Sequence, residues 1–269
     1  MTKRIGVLGC GWLGLPLAKR FISQDFKVYG TSTSLEKLQQ LQKSGIHPYQ
    51  IRLTENGING DIQAFLSNVD ILIINVPPKL RGEHKESFIE KMKFLHAEIK
   101  KSDVSKVIFV SSTSVYGDTE GEIIEETPAG PATESGKQLL ASEQLFIQNA
   151  NLSTTIIRFG GLIGPHRHPV TMLTKRKGLS NGNHPVNLIH LEDCIHMIST
   201  IIEENYWNEI FNGVYPLHPT KKEYYTSEAE KRKIPAPNYD DQFANKLGKT
   251  VLSKNFFDKG HAFTHNINS

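Results

Sequence analysis

The stretch RIGVLGCGWLGLPLA, residues 4 to 18, constrains the fold more than any other part of the chain. A short aliphatic run ends at Gly9, and Gly11 and Gly14 complete G-x-G-x-x-G as a helix-forming segment begins. In a strand–turn–helix the first glycine permits the tight turn. The second lets a pyrophosphate approach the main chain, and the third lets helix and strand pack closely. The helix N-terminus then offers unpaired N–H groups to phosphate. Gly9, Gly11, Trp12, Leu13 and Gly14 are therefore expected to cradle a dinucleotide.

The alternation continues downstream. Short β-branched runs at 4–9, 26–31, 70–76, 106–112 and 154–159, with a weaker one at 49–53, read as strands buried on both faces. Helical patterns lie between them, at 13–23, at 35–44 and from Lys137. In another, Phe88, Met92, Leu95 and Ile99 form one apolar stripe. This order predicts an α/β fold with a Rossmann-type, doubly wound parallel sheet. The expected domains are an NAD(P)-binding Rossmann domain over 1–165 and a small substrate-binding lobe over 166–269, interleaved with the last sheet elements. In that second part GGLIGPHRHP reads as a loop, VNLIHLED and NEIFNGVY as strands, and 194–203 and the TKKEYYTSEAEKRK segment as helices. The last 30 residues read as irregular.

The second strand bears on the choice of cofactor. An NAD site places an acid on the ribose 2′-hydroxyl about 20 residues past the loop. Here Thr31, Ser32, Thr33 and Ser34 stand in its place, with Lys37 beyond. Hydroxyls and a lysine suit a 2′-phosphate, which favours NADP over NAD. The plainer alternative is that these residues cap the second helix. Val76 and Pro77 of INVPP and Ser111 of VSSTS complete the expected cofactor set.

Composition removes other classes. Net charge is +3 and dispersed, which argues against nucleic acid, and no segment approaches the ~20 apolar residues that span a bilayer. Cys10 and Cys194 have no metal-ligand spacing and suit a reducing compartment. The N-terminus imitates a secretory leader, but glycines interrupt its apolar run and no A-x-A site follows, so a cytoplasmic chain is expected.

The ordered set GCGWLG, VIFVSSTSVYGD (107–118), GK…SEQ, IIRFGGLIGP and NLIHLED resembles the extended short-chain dehydrogenase/reductase superfamily, the NAD-dependent epimerases and dehydratases of nucleotide sugars. Within it, GCGWLGLPLA, INVPP and SSTSVYGD are similar to the atypical branch typified by the bacterial YeeZ proteins. GCGWLGLPLA also resembles the opening of the nucleotide-sugar 6-dehydrogenases, although the chain is too short for their second large domain. The superfamily resemblance implies that Ser112 orients the reacting hydroxyl or carbonyl and that Lys137 is the lysine of a Tyr-x-x-x-Lys pair. Thr133 then stands where the tyrosine would be. A threonine has no accessible ionised form near neutral pH, so it cannot act as that proton shuttle. Tyr116, Glu134, His166, His168 and Arg81 are candidate substitutes or substrate contacts, and His190 is expected to pack or to contact the substrate lobe. The helices at 84–101 and 137–149 carry surplus apolar surface, and in the superfamily these helices pair two subunits, so a homodimer is compatible with the sequence.

Two readings follow. One is an NADP-linked oxidoreductase or epimerase with altered acid–base residues, acting on a small hydroxy or carbonyl substrate. The other is a non-catalytic dinucleotide-binding sensor or regulatory module.

Overall fold

The computed structural model describes residues 3–78, 86–240 and 247–268. Along the chain run β1 (Arg4–Leu8), α1 (Gly14–Ser23), β2 (Lys27–Ser32), α2 (Leu35–Lys43), β3 (His47–Gln50), β4 (Arg52–Thr54), β5 (Gly57–Asn59), α3 (Ile62–Leu66) and β6 (Ile71–Ile74). There follow α4 (Phe88–Ile99), β7 (Lys106–Ser112), β8 (Gly121–Ile123), α5 (Glu134–Ile147), β9 (Ser153–Phe159), β10 (Gly161–Ile163) and α6 (Val170–Leu173). The chain continues with β11 (Leu188–His190), α7 (Leu191–Glu203), β12 (Ile210–Gly213), α8 (Lys221–Lys231), β13 (Lys249–Val251) and α9 (Lys254–Asp258).

Seven strands form the central sheet in the order β12-β9-β7-β6-β1-β2-β3. β1 pairs in parallel with β2 and β6, β2 with β3, and β6 with β7. Ile156 N–H donates to Glu209 O and Gly160 N–H to Gly213 O, so partners advance together along β9 and β12 as a parallel pair requires. The predicted doubly wound Rossmann-type sheet is what forms. Continuous aliphatic strands suit it because both faces are covered: Ile5, Val7, Leu72, Ile73, Val107, Ile108 and Phe109 are all fully buried. The helices follow their stripes. Phe88, Met92, Leu95 and Ile99 are the buried face of α4, and Gly14, Leu17, Ala18 and Phe21 that of α1.

The chain divides into two compact units, each built from separate segments. Unit 1 comprises 1–112, 133–157 and 197–210, and unit 2 comprises 113–132, 158–196 and 211–269. In unit 2, β10 pairs in parallel with β11, and β8 with β13.

Several sequence expectations need correction. Gly161–Ile163, read as loop, is a strand, because Leu188–His190 offers it an unpaired edge. The last 30 residues include β13 and α9, since even a three-residue strand is held once β8 satisfies its main chain. The helix expected from Lys137 starts at Glu134, because Thr133 caps it and its Oγ1 accepts the Gly136 N–H at 3.1 Å. The leader-like N-terminus is β1, the glycine turn and α1. Among the described residues no helix is long and apolar enough to cross a membrane.

Candidate dinucleotide site

The order of the sheet reverses at β1, with β2 and β3 on one side and β6, β7, β9 and β12 on the other. Ligands of such sheets bind beyond the carboxyl ends of the strands at this switch point. Within unit 1 the glycine loop after β1, the end of β2, the end of β6 and the end of β7 all lie at that edge.

The loop is held from three directions. Gly9 N–H donates to Thr31 Oγ1 at 2.9 Å, Cys10 N–H donates to Thr31 O at 2.9 Å, and Asn75 Nδ2 donates to Gly9 O at 3.1 Å. Gly9 has φ +105°, and a Cβ there would fall 2.5 Å from Asn75 O. A Cβ at Gly14 would fall 2.2 Å from Gly9 O, so the third glycine is what allows helix and strand to meet. Gly11 differs: a Cβ there would meet nothing within 4 Å. The outer glycines are required by the protein's own packing, whereas the middle one faces open space. Leu13 occupies the N-cap position of α1 without a side-chain cap, and the first turn carries no acid. An uncapped helix end beside an open glycine is chemically fit for a pyrophosphate.

At the end of β2, Thr31 is buried and its hydroxyl serves the loop. Ser32 Oγ accepts the Ser34 N–H at 3.1 Å. Ser34 is the N-cap of α2 by position, but its side chain makes no capping bond. Thr33 and Lys37 are exposed, and no carboxylate stands among residues 31–34. Val76 is half-buried against Gly9, where a Cβ would lie 3.1 Å from its Cγ1, and Pro77 is exposed. Arg81 lies outside the described residues.

At the end of β7, the buried Ser111 hydroxyl donates to Glu143 Oε1 of α5 at 2.5 Å, so it serves the unit's interior. Ser112 follows, half-buried. On α5, Lys137 is exposed one turn past Thr133, and its N–H donates to Thr133 O at 3.0 Å. Glu134 Oε1 accepts from Gln138 Nε2 at 2.7 Å, while Gln138 Oε1 accepts the Phe88 N–H that opens α4, at 2.6 Å. Sequence reasoning passed over Asn75 and Glu143. The available signal was a lone amide ending the aliphatic run ILIIN and a carboxylate on the inner face of an apolar helix.

Unit 2 holds the remaining candidates. Tyr116 is fully buried. Its hydroxyl donates to Asn212 Oδ1 at 2.8 Å and accepts from Arg158 Nη1 at 2.9 Å, while the guanidinium lies 4.9 Å from the ring centre. Burial raises its pKa, with Arg158 opposing. Glu125 sits behind this cluster and accepts the Asn212 N–H at 2.9 Å, and burial raises its pKa too. The signal for this cluster was the arginine inside the otherwise apolar strand IIRF.

His166 is exposed at φ +57°. His168 is interior: Tyr224 donates its O–H to Ile267 O at 2.7 Å, so the 3.0 Å contact between His168 Nε2 and Tyr224 has the imidazole as donor. Nδ1 then accepts the Val170 N–H at 3.3 Å, which fixes the neutral tautomer. Burial, with Arg232 next, lowers this histidine's pKa to about 4, although Glu228 opposes. His190 stacks on His265 at 5.1 Å, and burial lowers its pKa as well.

A parallel sheet in this order, with an open glycine at an uncapped helix end, defines a dinucleotide-binding protein. The chain belongs to the NAD(P)H-binding family, whose model matches residues 9–189. It is 32% identical to Protein YeeZ of Escherichia coli (strain K12) over 251 residues, 93% of this chain and 91% of that protein. A UDP-N-acetyl-D-mannosamine dehydrogenase of Yersinia pestis is 30% identical over 125 residues, only 43% of this chain and 29% of its own. A UDP-glucuronic acid 4-epimerase from Bacillus cereus, solved in complex with NAD, superposes with a TM-score of 0.78 at 19% identity, covering 98% of this chain and 93% of that one. That last likeness concerns the fold.

Proposed function

We propose that the chain is an NADP-linked oxidoreductase or epimerase acting on a nucleotide-sugar-like or other small hydroxy or carbonyl substrate, working in the cytoplasm. The observation that carries this reading is Gly11, open to solvent at an uncapped helix end between glycines the fold itself requires. Exposed Thr33 and Lys37, with no acid among residues 31–34, favour NADP. When bound, the nicotinamide accepts and returns a hydride. Lys137 holds its ribose, and Ser112 orients the substrate oxygen. Tyr116 is interior packing within unit 2, because it is fully buried and its hydroxyl already has two protein partners. Phe94 on α4 and Ile147 on α5, 39% and 40% exposed, are the apolar surface through which two copies would pair.

A second reading, a dinucleotide-binding sensor without turnover, is favoured by Thr133. Its hydroxyl is engaged as a helix cap where the superfamily places a tyrosine.

Titration with NADPH and NADH, following nicotinamide fluorescence and thermal stability together, tests the first step. NADPH is expected to bind at least about tenfold more tightly, a difference of about 1.4 kcal/mol. Equal binding removes the NADP assignment, and no binding of either removes the cradle. Binding without turnover of UDP-glucose or UDP-glucuronate selects the sensor.

A further inference from the structure

Unit 2 contains two half-buried lysines, each without a hydrogen-bonded carboxylate among the described residues. Lys249, on β13, donates from Nζ to Thr113 O at 3.1 Å and to Gly117 O at 2.5 Å, which leaves one N–H of the ammonium. Lys221 opens α8, where the Thr220–Glu223 capping box satisfies the helix end. Its own N–H donates to His184 O at 2.8 Å, but its ammonium has no hydrogen-bond partner among the described residues.

The segment at His184 adjoins the main chain at both lysines. Lys221 is fastened to the His184 carbonyl, and Gly248, the neighbour of Lys249, lies so close to the imidazole that a Cβ would fall 2.6 Å from it. Asn187 clamps β13 by donating to Lys249 O and accepting the Val251 N–H, both at 2.8 Å. Burial lowers the pKa of both lysines, and the charge of Lys249 lowers that of Lys221 further. Asp118 acts on Lys249 in the opposite sense, through space. Two like charges kept partly out of water destabilise the free fold, and an oxyanion set against them removes the penalty.

We propose that Lys221 and Lys249 form a binding site for an oxyanion, a phosphate or a carboxylate, carried by the small molecule this protein handles. The inference rests on the proposed function and on the expectation that residues 166–269 form the substrate-binding lobe. Lys221 offers three donors and Lys249 its remaining one, enough to hold two or three anionic oxygens.

The test is calorimetric titration and thermal denaturation with sodium pyrophosphate and, separately, sodium glucuronate, at low ionic strength. Wild type is compared with Lys221→Met and Lys249→Met, so that anion held elsewhere, as at the α1 N-terminus, cancels. At least one probe is expected to bind wild type, and which of them does so separates a phosphate from a carboxylate site. Lys221→Met should weaken binding at least about tenfold while the melting temperature of the free protein stays level or rises, because a repelling charge has gone. Lys249→Met should weaken binding too. The proposal is overturned if neither anion binds wild type, or if Lys221→Met melts lower and binds as before. NADPH titration of the same samples keeps the two ideas apart. Dinucleotide binding without anion binding defeats the lysine site alone, and the reverse defeats the cofactor reading alone.

Discussion

Replacing Gly11 by alanine separates a cofactor cradle from an ordinary glycine turn. Gly11 is not among the positive-φ glycines, and the new methyl would meet no protein atom within 4 Å, so the free protein tolerates it. Exchange of glycine for alanine at a compatible position reduces the freedom of the unfolded chain and stabilises by about 0.4–1 kcal/mol. The dinucleotide complex should respond in the opposite sense. A phosphate oxygen accepting from a loop N–H sits about 2.7–3.0 Å from nitrogen. A methyl on the same face needs about 3.3 Å or more from that oxygen, so the pyrophosphate retreats. Losing one charge-assisted hydrogen bond costs about 1.5–3 kcal/mol, which is roughly a 10–150-fold weaker Kd. Gly14→Ala serves as the contrast: its methyl lands 2.2 Å from Gly9 O, so it lowers stability as well as binding. Nicotinamide fluorescence gives the affinity and thermal denaturation the stability. Wild-type affinity in Gly11→Ala, or a clear loss of its stability, would refute the reasoning.

Two further substitutions test the interior of unit 2. His168 has a folded pKa of about 4 against an ordinary 6.5, so between those values the unfolded chain takes up a proton that the folded chain refuses. Its contribution therefore lowers stability as pH falls through that window, by up to about 3 kcal/mol. His168→Gln should flatten that part of the pH–stability curve in denaturant melts, and an unchanged slope would contradict the burial argument. Tyr116→Phe keeps the ring beneath Arg158 but removes one partner each from Asn212 and Arg158. At about 1–3 kcal/mol for each of the two groups, stability should fall by about 2–6 kcal/mol in urea unfolding, and a loss below the lower figure would mean that water replaces the hydroxyl.

The parts of the fold legible in the sequence were those set by local periodicity. An aliphatic run such as ILII cannot avoid a buried strand, and the spacing of Phe88, Met92, Leu95 and Ile99 leaves one inner helix face. Elements stabilised by distant partners were not legible. Gly161–Ile163 and Lys249–Val251 have no pattern of their own and exist because Leu188–His190 and Gly121–Ile123 pair with them. In the site, the glycines announced themselves through spacing, but the residues that hold them did not. Thr31 looked like a ribose contact, and only the folded chain shows its hydroxyl turned to Gly9. Ser111 shares this ambiguity, because sequence gives no sign that Glu143, thirty-two residues on, meets it.

The start of α5 limits where a proton could come from in any turnover. Thr133 cannot ionise near neutral pH, and its oxygen already accepts the Gly136 N–H. Glu134 beside it is hydrogen-bonded to Gln138, which in turn holds the first amide of α4. Drawing Glu134 into proton transfer would therefore disturb the junction of two helices. The Lys137 ammonium is without a hydrogen-bond partner among the described residues, and an ammonium suits holding a ribose. The first turn of α5 thus holds a helix cap, a carboxylate tied to Gln138 and an exposed lysine, with no tyrosine. If the chain turns over, its acid or base is a group other than Thr133. If it does not, the same arrangement describes a dinucleotide receptor, with Thr133 as a helix cap.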